Sequence, residues 1–432
     1  MTGPVASDVR ELIREIGSSP RLAQALATAG VGMAAAAFPL QRLIGWPGLI
    51  GAMAVLIGLM AGSFIARRAE TDWRGILPIS LLAFLAWATI SVIWSQYQWV
   101  TIGSLTYLLG FTLIALYVAL VRDTIQIVRV FGDVLRVVIG VSLVIEIFSG
   151  LLIDSPIPLL AVQGQLGVGG PISGLAATRN QFGLLAIVGA VSFATEHRTR
   201  SVPRLVSILS LAGAALAILF TQSPVVLGTA LLVGVAAAVL FGLRRVPADR
   251  RQVWQLITLV LASTGAAIAW VARTVIVDTF SATGVLTYRL ELWNKIFDLV
   301  RLNFLQGWGW VGRWRTEIVP FSALTTSADR PAQSALNSYL DVWFQLGLIG
   351  VAIFVGMLGL AFVRSWLLAG RRRSVVYAWH ALVLVALIVM SLAESSLLTE
   401  FGWLTFVICC LKASQELSWR RAFTATESAP PA

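Results

Sequence analysis

Long apolar runs alternate with short polar turns almost from one end of the chain to the other. Runs near the roughly 20 residues that a bilayer core requires are predicted at Leu22–Leu40, Trp46–Ala66, Ile76–Trp94, Ile102–Leu120, Val134–Ile153 and Gln181–Thr195. Six more follow at Leu205–Thr221, Val225–Leu243, Val253–Ala272, Val342–Val363, Val375–Leu392 and Thr399–Leu411. Several are rich in Ala and Gly, as expected where helices pack closely inside a membrane. Two stretches break the rhythm. Asp154–Asn180 is rich in Gly and Pro yet stays apolar, and reads as a tight or re-entrant loop. The longest non-spanning stretch is 273–341, and within it Tyr288–Leu305 has a helical period. Glu291, Lys295, Asp298 and Arg301 line one face, with Glu291 and Lys295 in the favourable order, while Trp293, Ile296 and Val300 line the other. Arg289 falls on the apolar stripe. An arginine there either snorkels to lipid headgroups or pairs with an anion in a partly buried site.

Composition turns this pattern into a fold class. Hydrophobic residues make up 58% of the 432 and charged residues 12%, against roughly 25% charged in ordinary globular domains. The expected fold is all-α: a polytopic membrane protein of about twelve spans, with one large external loop between the ninth and tenth. A single membrane domain, 22–423, sits between a cytoplasmic segment, 1–21, and a disordered tail, 424–432. The net charge of +11 does not point to nucleic acid, because the arginines gather in alternate short loops. Arg67, Arg68 and Arg74 share a side with Arg122 and Arg129, then with Arg198, Arg200 and Arg204. Arg244, Arg245, Arg250, Arg251, Arg371, Arg372, Arg373, Lys412, Arg420 and Arg421 follow suit, and Arg42 is the exception. The excess of positive charge on one side puts both termini in the cytoplasm and the 273–341 loop outside. Cys409 and Cys410 are adjacent in the last span, which excludes a disulfide framework. The first 30 residues carry Asp8, Glu11 and Glu15 without a cleavage site, and read as an amphipathic lead-in rather than a signal peptide.

Candidate chemistry gathers on the predicted external side. The sequence has no phosphate-cradling glycine loop followed by Lys, no metal cluster and no nucleophile elbow. His197 lies in the turn EHRTR and His380 near the cytoplasmic end of the eleventh span, so an external general base must be another residue. The external groups are Arg179, Asn180, Arg289, Arg313, Arg315, Arg330, Asn337, Tyr339 and Asp341. Glu394 and Glu400 flank the turn ESSLLTE, and Glu146 lies inside the fifth span. Acids at such depths either serve function or pair with arginines that lock helices together. Asn180 either caps the sixth span or belongs to a site. External arginines above a membrane suit a lipid-linked diphosphate, because the guanidinium fork grips phosphate oxygens in pairs.

RLELW, then GWGWVGRW, then NSYLDVWFQLGLIG resemble the signature region of the bacterial O-antigen ligase and polysaccharide polymerase superfamily. ATRNQFG before the sixth span and TQS before the eighth resemble two further landmarks, and WVGRW with AESSLLTEFGW is most similar to its exopolysaccharide-production branch. The resemblance implies an inverting glycosyltransferase of the bacterial cytoplasmic membrane that needs neither metal nor cofactor. Its donor is an oligosaccharide on undecaprenyl diphosphate, its acceptor a glycan hydroxyl, and its surroundings membrane lipid and exopolysaccharide assembly proteins. Arg289 matches the motif arginine, with Asn337 and Tyr339 matching the residues that follow the family's histidine. That histidine is Leu336 here, and the turn after Ser223 reads Pro–Val. Loss of a general base typically costs about 10²–10⁴ in rate. Either Glu394, Glu400 or Asp341 substitutes, or the chain is a non-catalytic glycan binder or scaffold. A transporter of the same lipid-linked glycan is the third reading, although no repeated pair of broken helices supports it.

Overall fold

The computed structural model describes residues 15, 17–68, 78–247, 249–272, 283–324, 332–372 and 374–416. Arg330, the tail 424–432 and most of the segment 1–21 lie outside them. The architecture is helical, without a strand among the described residues. The α-helices are α1 (Pro20–Ala35), α2 (Ala37–Ala66), α3 (Ile79–Ile90), α4 (Gln98–Val121), α5 (Thr124–Ile147), α6 (Arg179–Thr199) and α7 (Arg204–Phe220). They continue as α8 (Pro224–Leu243), α9 (Arg251–Val271), α10 (Thr283–Val300), α11 (Ser338–Arg371), α12 (Val376–Ser391) and α13 (Glu400–Glu416). Helices cover the predicted apolar runs, the first of which is divided between α1 and the start of α2, and α10 covers the amphipathic stretch as far as Val300. The segments Ala37–Ala66, Gln98–Val121, Thr124–Leu152, Pro224–Leu243 and Ser338–Arg371 are long and apolar enough to cross a membrane. Together these make the chain a polytopic α-helical membrane protein.

The helix starts follow local chemistry. Ser19, Thr178 and Ser223 cap α1, α6 and α8 by accepting the N–H of Leu22, Gln181 and Val226. Pro20 and Pro224 occupy first-turn positions where no amide hydrogen is needed. The boundaries differ from the pattern where backbone, not hydropathy, decides. The first break falls at Ala36, so Arg42 is inside α2 rather than in a turn. Three residues later α2 kinks at Gly45, just ahead of Pro47. Arg129 likewise lies inside α5, and His197 in the last turn of α6.

Two compact units result. One comprises Met1–Leu82, Thr106–Gln222 and Thr399–Ala432, the other Ala83–Leu105 and Ser223–Leu398. In the first unit α6 is buried on nearly every side, from Phe182 to Glu196, and packs against α5 and α7. In the second unit α12 plays that part, buried from Val376 to Ser391 and packed on α8 and α11. A helix apolar all round belongs in an interior.

Candidate functional site

The second unit brings α10, the GWGWVG segment and the start of α11 together. α10 buries Leu292, Ile296 and Val300, with Arg289 on the same side at 8% exposure. Its polar face carries Glu291 with Lys295 (3.4 Å), and Asp298 with Arg301 (3.7 Å) continues it past the helix end. The two faces are those that the sequence predicts.

After α10 the chain is fastened to α11 by backbone. α11 interrupts its own ladder at Gly347, where φ is 68° and ψ −172°, a region essentially restricted to glycine. The groups released there find partners close by. Leu348 N–H donates to the carbonyl of Phe304 (2.9 Å), and Trp308 and Gly309 donate to Phe344 and Gln345 (3.1 and 2.8 Å). Trp87 Nε1 donates to the carbonyl of Leu346 (2.9 Å). A Cβ on Gly347 would collide with the Leu305 carbonyl, and one on Gly307 with that of Gln345. These glycines therefore serve close backbone approach.

Two side chains lock the segment. Gln345 Oε1 accepts from Val311 and Gly312 N–H (2.7 and 2.8 Å), while its Nε2 donates to Asp341 Oδ1 (2.7 Å). Asp341, 1% exposed, also accepts from Trp314 Nε1 (2.8 Å) and from Ala335 N–H (3.2 Å). Trp314 in turn packs on Phe321 and Phe344. Asp341 is thus committed to internal donors. Gln345 escaped the sequence reading, although an amide one turn after a buried acid in an apolar run is a usable signal.

Arg289 sits where α10, the entry to α11 and the exit from α12 meet. Its Nη1 donates to the Leu336 carbonyl (2.8 Å) and to that of Ala393, and its Nη2 pairs with Glu394 Oε1 (3.0 Å). Glu394 is 8% exposed, and its carbonyl accepts from Ser338 Oγ (2.8 Å). Leu336 holds a left-handed backbone, φ 51°. Asn337 caps α11 by accepting from Tyr339 and Leu340 N–H (3.0 Å each), and its Nδ2 donates to the Leu392 carbonyl (3.0 Å). Tyr339 reaches the Ile388 carbonyl (3.4 Å). Four predicted residues, Arg289, Glu394, Asn337 and Tyr339, and the odd Leu336 therefore meet in one cluster. Arg313 is half-buried and Arg315 exposed, and neither side chain makes a hydrogen bond or ion pair with a described residue.

The remaining predicted residues belong to the first unit. Glu400 opens α13 and accepts from the Tyr107 hydroxyl (3.1 Å). Arg179 opens α6 and donates to the Gln222 carbonyl (3.4 Å). Asn180 is not the cap of α6, because Thr178 takes that position. Buried Glu146 accepts the N–H groups of Ser173 and Gly174 (3.0 and 2.8 Å), tethering the glycine-rich loop. None of the described residues forms a cluster of three or more metal-ligating side chains.

Residues 209–355 match the family model described as O-antigen ligase. The match takes in Arg289, Leu336, Asn337, Tyr339, Asp341 and Gln345, and stops short of Glu394. No curated protein matched the chain.

Proposed function

We propose that this chain, a membrane protein whose residues 209–355 belong to the O-antigen ligase family, joins glycans in surface-polysaccharide assembly, taking its donor from undecaprenyl diphosphate. The reading rests on the Arg289 cluster: the motif arginine is buried against the Leu336 carbonyl and Glu394, at the start of α11. The acceptor hydroxyl attacks the anomeric carbon of the donor as the bond to the diphosphate oxygen breaks, with inversion at that carbon. Arg313 and Arg315, whose side chains have no partner among the described residues, grip the diphosphate as its charge grows. The hydroxyl proton passes to Glu394, which stands in for the histidine replaced by Leu336. Asp341 and Asn337 hold the loop and the start of α11 and are positioning residues. Arg179, Asn180 and Glu400 of the first unit, and Arg330, which lies outside the described residues, are further candidates for substrate contact on the external face of the bacterial cytoplasmic membrane, and no metal takes part.

A second reading is favoured by Leu336 itself. With an apolar side chain at the base position, and Glu394 engaged by Arg289, the chain binds lipid-linked glycan within an exopolysaccharide assembly without turning it over. Polymer formation from purified lipid-linked oligosaccharide separates the two readings. The transfer reading expects native activity that Glu394→Gln reduces by about 10²-fold or more, with Leu336→His changing little. The binding reading expects no native activity, and its gain on Leu336→His. Native activity that survives both Glu394→Gln and Glu400→Gln would remove the carboxylate role.

A further inference from the structure

A second feature lies in the first unit, where α4 ends. Arg122 follows the last residue of α4 and is only 9% exposed, yet its guanidinium makes no hydrogen bond or ion pair with any described residue. Arg67, which closes α2, is near enough for its charge to act on Arg122. Arg67 is itself anchored by donating to the carbonyls of Ser18 and Ser19. The Tyr117 hydroxyl donates to Ser63 Oγ (2.9 Å) and lies within electrostatic reach of both arginines. Asp123, next in the chain, is exposed and caps α5 together with Gln126.

Among the described residues no acid pairs with the Arg122 guanidinium. Burial lowers the pKa of Arg122, and the like charge of Arg67 lowers it further. Removing an ion from water is unfavourable unless a counter-charge is supplied. The carbonyl end of α4 offsets only part of that cost. The Arg122 guanidinium, with the Arg67 charge beside it, offers the forked donors that match tetrahedral oxyanions. We propose that Arg122, assisted by Arg67, forms a binding site for a phosphate group. The group is carried either by a lipid head or by a free anion, and the site is independent of glycan transfer.

The test uses the full-length purified protein and follows its thermal unfolding midpoint. In lipid-free detergent it is titrated with inorganic phosphate, with chloride at equal ionic strength as control. In a parallel arm the same detergent solution is titrated with phosphatidylglycerol, with the matching phosphate-free diacylglycerol as control. A native midpoint that rises with inorganic phosphate identifies a soluble ligand. A rise confined to phosphatidylglycerol identifies a lipid head. In either case Arg122→Gln weakens the response by about 10- to 100-fold in concentration. Arg122→Met, which removes the buried charge, melts no lower than native protein when both ligands are absent. The proposal is overturned by a native midpoint that moves in neither arm. It is equally overturned by a rise preserved in both variants, or by Arg122→Met melting below native protein without ligand.

Discussion

Arg289 is held by two carbonyls and one carboxylate, so it needs no substrate to be ordered. That makes Arg289→Lys informative. Lysine keeps the charge but not the planar fork, and cannot satisfy three acceptors in these directions. Polymer output should fall sharply while protein abundance stays normal. Output equal to native would show that the fork is dispensable and that Arg289 has no part in holding substrate. Glu394 needs a second readout, because a buried arginine stripped of its partner costs about 3–5 kcal/mol. Glu394→Gln that abolishes polymer but melts near the native temperature marks the carboxylate as the proton acceptor. Loss of both marks it as a clamp. Leu336 completes the residue scale. A β-carbon in the left-handed region costs about 1–2 kcal/mol, and histidine is among the residues enriched there. Leu336→His is therefore compatible with the backbone, which makes its activity a fair test.

At the scale of elements, α11 shows what the order of residues disclosed and what it withheld. The two faces of α10 were readable because a period of 3.6 places Arg289 with Ile296 and Val300 whatever lies opposite. The cap of α6 was also readable, since Thr178 stands three residues before Gln181 in the capping-box pattern, yet Asn180 drew the attention. The break at Gly347 was not readable. An apolar run looks continuous, and only the approach of Phe304 and Leu305 from more than 40 residues away gives the glycine its purpose. The same holds for Arg289 with Glu394, separated by 105 residues. Three acids seemed equivalent in sequence, and only folding puts one of them on the guanidinium. Gly347→Ala should accordingly destabilise the protein by about 2–4 kcal/mol, through both strain and collision. Gly356→Ala, later in α11 where a Cβ would meet nothing within 4 Å, should be neutral or slightly stabilising. Matching midpoints for the two variants would mean that the backbone junction contributes nothing.

For the whole molecule, the decisive property is which face of the membrane receives the α10–α11 junction. Arginines crowd alternate loops, and the cost of carrying them across a membrane fixes orientation. Undecaprenyl-linked glycans can be joined outside only if the Arg289 cluster opens outward. Single cysteines at Gln96, Glu317 and Asp249 test this directly. All three positions are exposed, and the native Cys409 and Cys410 are buried, so replacing both with Ala gives a silent background. An impermeant thiol reagent added to intact cells should label the cysteines at 96 and 317, and reach that at 249 only after permeabilisation. Labelling at 249 with protection at 317 would put the cluster in the cytoplasm. The end of α6 with His197 and the start of α12 with His380, assigned to the cytoplasmic side by the same arginine rule, would then lie on the outer side. The external-transfer proposal would fail as a whole, whatever Arg289 and Glu394 do in a purified assay. Labelling at 96 and 317 leaves proton transfer to the carboxylates, because the rule that places Arg289 outside keeps both histidines inside.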